Sequence, residues 1–222
     1  NKVFGLHRLN AMAGLSWQER TYSYDKSRTE GFSDDFFEWN NMGAGTTPSA
    51  PESDYNDWSM NSYFLRFAYT YNDRYSATVT GRYDGSSKFG KNNKYAFFPS
   101  AGLAWNVSQE DFLRDNKTIS HLKLHTSYGL TGNSEIAPYK SLASVESGTL
   151  LLDNSRAAYS YINSIANPDL KWEKTSQFDL GFDLGLLENR LNFDISYYHK
   201  KTTDLLLDSP LPTSSGYSSV YK

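Results

Sequence analysis

The sequence predicts an all-β fold, an antiparallel transmembrane β-barrel wall, from two observations. First, apolar and polar residues alternate at period two in about seven stretches, as in strands with lipid on one face and water on the other. Second, aromatic residues make up 16% of the chain although its mean hydropathy is −0.63. Barrel walls combine these properties because only every second wall residue meets lipid, while the lumen and loops are polar.

The alternating stretches give the strands in order, with the clearest hairpin around a turn at 72–74. The predicted strands cover residues 3–22, 62–71, 75–84, 95–107, 122–131, 178–184 and 191–197. The predicted connections are long at 23–59 and 132–169, medium at 85–94, and short at 72–74, 108–119 and 186–190. Bacterial barrels place short turns in the periplasm and long loops outside, so this alternation predicts the orientation. Within 108–119 we expect one helical turn capped by Ser108.

Period two also assigns side chains to the two faces of the wall. On the lipid face we expect Leu65, Phe67, Val79, Leu103, Leu124, Leu180 and Phe193, and on the lumen face Arg66, Thr80, Lys123 and Asp179. Aromatic residues at strand ends predict interfacial girdles. These residues are Trp17, Tyr22, Tyr95, Trp105 and Trp172.

Composition argues against several other classes of protein. No run approaches the about 18 apolar residues of a membrane-spanning helix. A net charge of −3 with scattered lysines and arginines gives no basic surface, so we expect no nucleic-acid partner. The four histidines have no metal-ligand spacing, and nothing in the spacing of Ser127, His125 and Asp179 favours a hydrolase centre. We therefore expect no enzyme, metal or cofactor.

Seven strands do not close a bacterial single-chain barrel, which uses an even number from about 8 upwards. Open strand edges in hydrocarbon leave backbone groups unpaired, so we expect this chain to be a piece of a larger barrel. A soluble β-sandwich also alternates and is the structural alternative. The regular change between long and short connections favours the barrel.

Three motifs follow one another along the chain: GRYDGSSKFG at 81–90 followed by FFPSAGLAWNVSQEDFL at 97–113, LKLHTSYGLTGN at 122–133, and NPDLKWEKTSQFDLGFDLGLLENRLNFDISYYHKKTTDLLL at 167–207. In this order they resemble the SusC/RagA family of TonB-dependent outer-membrane transporters, over roughly residues 60–220. Residues 1–59 match that family only in being a strand and a variable loop.

This resemblance implies a barrel of about 22 strands in the bacterial cell outer membrane, with its lumen blocked by an N-terminal plug. It implies active import of oligosaccharides, glycans or peptides, energy from the TonB complex, and a SusD-like surface lipoprotein as a lid. Residues 1–222 would then form part of one β-barrel domain, without the plug, the TonB box and the final strands. The alternative function is a non-transporting outer-membrane barrel whose loops bind other proteins.

Eight residues are candidates for contact with substrate or partner. Six are aromatic residues on expected extracellular loops, where rings stack on sugars or hold a protein lid: Trp39, Tyr55, Trp58, Tyr139, Tyr159 and Tyr161. The other two, Arg82 and Asp84, are candidates for a polar path through the lumen. The alternatives are that the rings pack the loops together and that the charges form ion pairs in a hydrated interior.

Overall fold

The computed structural model describes residues 1–36, 38–114, 116–153, 155–217 and 219–222, and these form β-strands with short 3₁₀ turns. The strands are β1 Lys2–Phe4, β2 His7–Lys26, β3 Thr29–Glu30, β4 Thr47–Pro48, β5 Glu52–Tyr71, β6 Tyr75–Ser86, β7 Tyr95–Asn106, β8 Ile119–Asn133, β9 Ser144–Leu152, β10 Ser155–Ser164, β11 Glu173–Leu186, β12 Leu191–Thr203, β13 Asp208–Pro210 and β14 Ser219–Tyr221. The 3₁₀ turns are Met42–Ala44, Val107–Gln109 and Thr213–Ser215. In these described segments, no helix is long and apolar enough to cross a membrane.

Eight strands form one open antiparallel sheet in the order β1-β2-β5-β6-β7-β8-β11-β12. The predicted all-β wall is confirmed, with one strand more than the seven expected. The additional strand is β1, because Gly5 has a φ of +57° and turns the chain back so that Val3 pairs with Arg8. The prediction of a single strand over residues 3–22 is therefore wrong at its start.

The longest hairpin extends well beyond its predicted end. β2 pairs with β5 without a register shift from His7↔Tyr71 to Lys26↔Glu52, so residues 23–26 and 52–59 are strand and the loop covers only 27–51. The predicted loop at 132–169 also contains structure, since β9 and β10 pair there as a hairpin. Both segments lack period-two alternation, but backbone ladders form without it where both faces are in water.

The register separates the two predicted sets of side chains onto opposite faces of the sheet. Phe67 lies beside Val79, and Leu184 beside Phe193, while Arg66 lies beside Thr80 on the other face. The seven side chains predicted to face lipid are 40–61% exposed on a continuous apolar surface. Aromatic rings stack near both ends of that surface, with centroids 6.2 Å apart for Tyr75 and Trp105 and 5.2 Å apart for Tyr83 and Tyr95.

A small buried core lies on the polar face, at the loop end of the strands. Trp172 is 2% exposed, and its ring centroid lies 4.7 Å from that of Phe89 and 5.5 Å from that of Phe98. Its indole nitrogen donates to the backbone oxygen of Lys94 at 3.0 Å. The prediction that Trp172 belongs to an interfacial girdle is therefore wrong. Trp172 instead fastens the 85–94 connection to the segment before β11.

The opposite end of the sheet is closed by the connector around Glu110. The Glu110 carboxylate, 9% exposed at residue level, accepts hydrogen bonds from Tyr75 at 2.6 Å, Trp105 at 3.0 Å and Arg74 at 2.8 Å. These hydrogen bonds, first that from Tyr75, hold the pKa of Glu110 below its usual range. Ser108 is not the predicted cap, because it lies inside the 3₁₀ turn Val107–Gln109. The turn that follows is closed by the backbone N–H groups of Leu113 and Arg114, which both donate to the Glu110 backbone oxygen at 3.0 Å. Asp115, within this connector, lies outside the described residues.

Candidate functional site on the loop side of the sheet

Two of the predicted residues, Arg82 and Asp84, form one network on the polar face near the end of β6. The Arg82 guanidinium donates to Asp84 Oδ2 at 2.8 Å and to Ser62 Oγ at 2.8 Å. Asp84 is 5% exposed, and its Oδ1 has no hydrogen-bond partner among the described residues. Because this carboxylate is buried against its own sheet, the geometry indicates a structural ion pair rather than an open path.

Trp58 lies on β5 rather than on a loop, and it is the centre of a row of charged and aromatic side chains. It pairs with Arg20 of β2, and on its other side the Lys88 ammonium lies 4.6 Å from the indole centroid. Lys88 Nζ also donates to the backbone oxygen of Ser134 at 3.5 Å. Burial, followed by the charge of Arg20, lowers the pKa of Lys88, while Glu135 acts in the opposite direction.

Tyr139 lies next to this row, in a left-handed conformation with a φ of +65°. Its hydroxyl donates to the Asp57 carboxylate and accepts the backbone N–H of Asp57 at 2.9 Å. The hydrogen bond to the carboxylate raises the pKa of Tyr139, since ionisation would place two negative charges together. Tyr139 thus ties the loop after β8 to the outer part of β5.

A cavity of about 450 Å³ opens between these loops and β5. Its lining combines three lysines with one carboxylate and a mixture of polar and apolar side chains. The residues around it are Asp57, Ser87, Lys88, Phe89, Gly90, Lys91, Lys94, Pro138, Tyr139, Ser141, Leu142, Ala166 and Pro168. A volume in this range is typical of small-ligand sites, so the cavity is the best candidate for a binding site on the loops.

The remaining predicted aromatics are not among the residues that line this cavity. Tyr159 and Tyr161 lie on β10, stack with centroids 6.0 Å apart, and the Tyr161 hydroxyl donates to Glu146 at 3.0 Å. That hydrogen bond raises the pKa of Tyr161. Tyr55 is 62% exposed on the outer part of β5 rather than on a loop, and Trp39 is 75% exposed between β3 and β4.

Sequence reasoning missed Lys88, Lys91 and Lys94, which line the cavity. It also missed Arg20, which lies on the other side of Trp58 from Lys88. The 85–94 segment reads as an ordinary polar loop, but it folds back over β5: the backbone N–H of Ser87 donates to the Ser59 backbone oxygen at 2.9 Å, and the Lys88 ammonium lies over the Trp58 ring. The available signal was register: Trp58 lies two residues before Met60, which pairs with Ser86. Extending that antiparallel register by two residues places Lys88 opposite Trp58.

The serine, histidine and aspartate weighed as a hydrolase centre are not arranged as one. Ser127 Oγ donates directly to Asp179 at 3.2 Å, whereas His125 Nδ1 lies 4.0 Å from Asp183 instead. A nucleophilic serine needs the histidine as its base. In the part of the chain that the structure describes, no group of histidine and carboxylate side chains has the geometry of a metal site.

Comparison with known proteins identifies the class to which this sheet belongs. The chain matches the family model of the TonB dependent receptor-like β-barrel over residues 2–221, and it therefore belongs to that family. Among its relatives, TonB-dependent receptor P3 of Formosa agariphila is 42% identical over 226 residues, which is 99% of this chain and 22% of that protein. TonB-dependent receptor SusC of Bacteroides thetaiotaomicron is 37% identical over 161 residues, 71% of this chain and 16% of that protein.

The solved structures agree with this assignment. A structure of the RagAB peptide transporter superposes with a TM-score of 0.88 at 34% sequence identity, covering 97% of this chain and 24% of that one. The RagAB peptide importer in its closed-closed state gives a TM-score of 0.89 at 33% identity, covering all of this chain (100%) and 24% of that one. The resemblance to the SusC/RagA family is thereby confirmed, and the chain spans between 16% and 24% of the length of these proteins.

Proposed function

We propose that this chain forms part of the wall and the outer loops of a TonB-dependent importer in the bacterial outer membrane. One observation carries the proposal: the chain belongs to the TonB dependent receptor-like β-barrel family, and its sheet has one continuous apolar face and one polar face. Strands of 12–20 residues, as in β2, β5, β6 and β7, are long enough to cross the apolar part of a bilayer when tilted. The importer takes up large nutrients, either oligosaccharides or peptides.

The proposal includes the remainder of the barrel. Over residues 10–26, β2 has only β5 as a neighbour in the described sheet, and β12 has only β11. In hydrocarbon these free edges would each leave a row of backbone groups unpaired, at several kcal/mol per group. We infer that residues 1–222 are one part of a single barrel domain, and that other strands of the complete protein pair with both edges.

The partners follow from the same class of protein. A SusD-like lipoprotein covers the loops, and the TonB complex of the inner membrane drives transport. The exposed surface of the β9–β10 hairpin supports the first of these, since Leu150 and Leu152 are 39% and 60% exposed on the same face as the stacked tyrosines. Apolar and aromatic groups exposed in this way are typical of protein contact surfaces.

Uptake by cells that produce the complete protein tests the proposal. Labelled oligosaccharide and labelled peptide should enter energised cells, and deleting TonB should abolish entry of whichever is the substrate while surface binding remains. Replacing residues 145–163 with a short Gly-Ser linker should weaken co-purification of the lid lipoprotein without unfolding the barrel. If surface binding occurred but uptake were the same with and without TonB, the protein would be a surface-binding barrel and not an importer.

A further inference from the structure

The cavity on the loop side carries an excess of positive charge. Lys88, Lys91 and Lys94 line it, and Asp57 is the acidic residue in the lining. The Asp57 carboxylate already accepts the hydroxyl of Tyr139, which reduces its availability to the lysines. A cavity lined by one sign of charge concentrates ligands of the opposite sign.

Lys88 is held in place by contacts that do not neutralise it. Its ammonium lies over the Trp58 ring at 4.6 Å and contacts a backbone oxygen at 3.5 Å. Among the described residues, no carboxylate lies within ion-pair distance of Lys88, although Glu135 is near enough to influence it. Arg20 adds a second cation on the other side of the same indole, because its strand pairs with β5 at Trp58. An anionic group in the cavity would relieve this repulsion.

The other groups of the lining suit a sugar ring better than a simple anion. The Tyr139 side chain is 46% exposed and offers an aromatic face. The Ser87 hydroxyl oxygen accepts the backbone N–H of Ser59 at 2.9 Å, which leaves its own proton for donation to a ligand. Aromatic faces pack against apolar surface, including the C–H side of a pyranose, and hydroxyl groups pair with sugar hydroxyls. The volume of about 450 Å³ accommodates a unit of that size.

We propose that this cavity binds an acidic sugar unit, a hexuronate, within an oligosaccharide that the importer takes up. Lys88 and Lys91 contact the carboxylate, Ser87 contacts a ring hydroxyl, and Tyr139 packs against the ring. Trp58 is a positioning residue, since it fixes the Lys88 ammonium without touching the ligand. The assignment rests on the proposed import function and narrows its substrate class from oligosaccharides and peptides to acidic oligosaccharides.

Binding to the purified complete protein in detergent tests the assignment by titration calorimetry. The probes are tetragalacturonate, the neutral cellotetraose of matched length, and tetraglutamate as the acidic peptide. Tetragalacturonate should bind about tenfold more tightly than either of the others, and this advantage should shrink as salt is added. The double variant Lys88→Gln/Lys91→Gln should lose about tenfold in affinity for tetragalacturonate alone, as expected for two partly screened ion pairs. Lys117→Gln, at the opposite end of the sheet, is the matched control and should change nothing.

Four results would overturn the assignment. Equal affinity for the two tetrasaccharides would remove the role of charge, and tighter binding of tetraglutamate would make the site a peptide site. An unchanged preference in the double variant would place acidic-sugar recognition elsewhere, and a lowered melting temperature with unchanged affinity would mean that the lysines stabilise the loops instead. None of these touches the import proposal, which fails only if uptake of every substrate is independent of TonB.

Discussion

Replacing Val79 with arginine gives the sharpest test of which face of the sheet meets lipid. Val79 is 56% exposed on the apolar face and lies midway along β6, four residues from Tyr75 and four from Tyr83, which carry the two stacked aromatic pairs. Four residues span about 13 Å of strand, or about 10 Å along the membrane normal at a tilt near 40°. The site is therefore close to the centre of an apolar band about 25 Å tall.

At that depth Val79→Arg should destabilise the folded barrel by about 2–4 kcal/mol, because the guanidinium must leave water or distort the bilayer. The matched control is Thr78→Arg, one residue away on the polar face, where the cross-strand neighbours are Ala68 and Gly102. Its side chain would reach water in the lumen, so we expect a change below about 1 kcal/mol.

Urea titration of the complete protein folded into phospholipid vesicles measures both free energies of unfolding. Spin labels at the same two positions give an independent reading, since lipid-soluble oxygen should relax the label at 79 more strongly than the label at 78. A larger loss of stability for Thr78→Arg than for Val79→Arg would refute the assignment of the faces.

Three further variants test the loop core and the connector in the same complete protein. Trp172→Ala should cost about 3–5 kcal/mol and expose the loops to protease, because it empties a site that is 2% exposed, whereas Trp39→Ala, at 75% exposed, should be neutral. Gly90→Ala should destabilise the same region by about 1–3 kcal/mol, because its Cβ would lie 2.1 Å from the backbone oxygen of Pro168. The control Gly43→Ala should be tolerated, since the nearest atom to its Cβ lies 3.8 Å away. Equal protease sensitivity of the two variants would contradict the close packing at Gly90. Glu110→Gln should lower the melting temperature at neutral pH and make the melting temperature depend less on pH in acid. The pKa of Glu110 is lower in the folded protein than the ordinary Glu pKa of about 4.3, so its carboxylate contributes its full stability above about pH 4.3. That stability is lost as the pH falls through the pKa of Glu110 in the folded protein. A wild-type melting temperature that did not fall more steeply in acid than that of the variant would exclude this contribution.

The sequence by itself determined the fold class, the strand centres and the two faces. Alternation at period two is a local property, because successive side chains of a strand must point to opposite sides. The centres of the seven predicted strands, from the first at 3–22 to the last at 191–197, therefore agree with the pairing found in the sheet. Motif order added the family, which the comparisons confirm.

Only the tertiary structure decided what lies at the loop end. The outer ends of β2 and β5, at Lys26 and Glu52, are polar on both faces, so no alternation in the sequence marks these strand ends. Backbone pairing between the two strands sets where they end. Trp172 looks like a girdle residue in sequence, but the segment around it folds onto the polar face and buries it against Phe89, which is distant along the chain. The lysine cavity has the same origin: its lysines come from the 85–94 connection, but its other walls come from β5 and from the segments after β8 and β10, and contact between distant segments has no local signal.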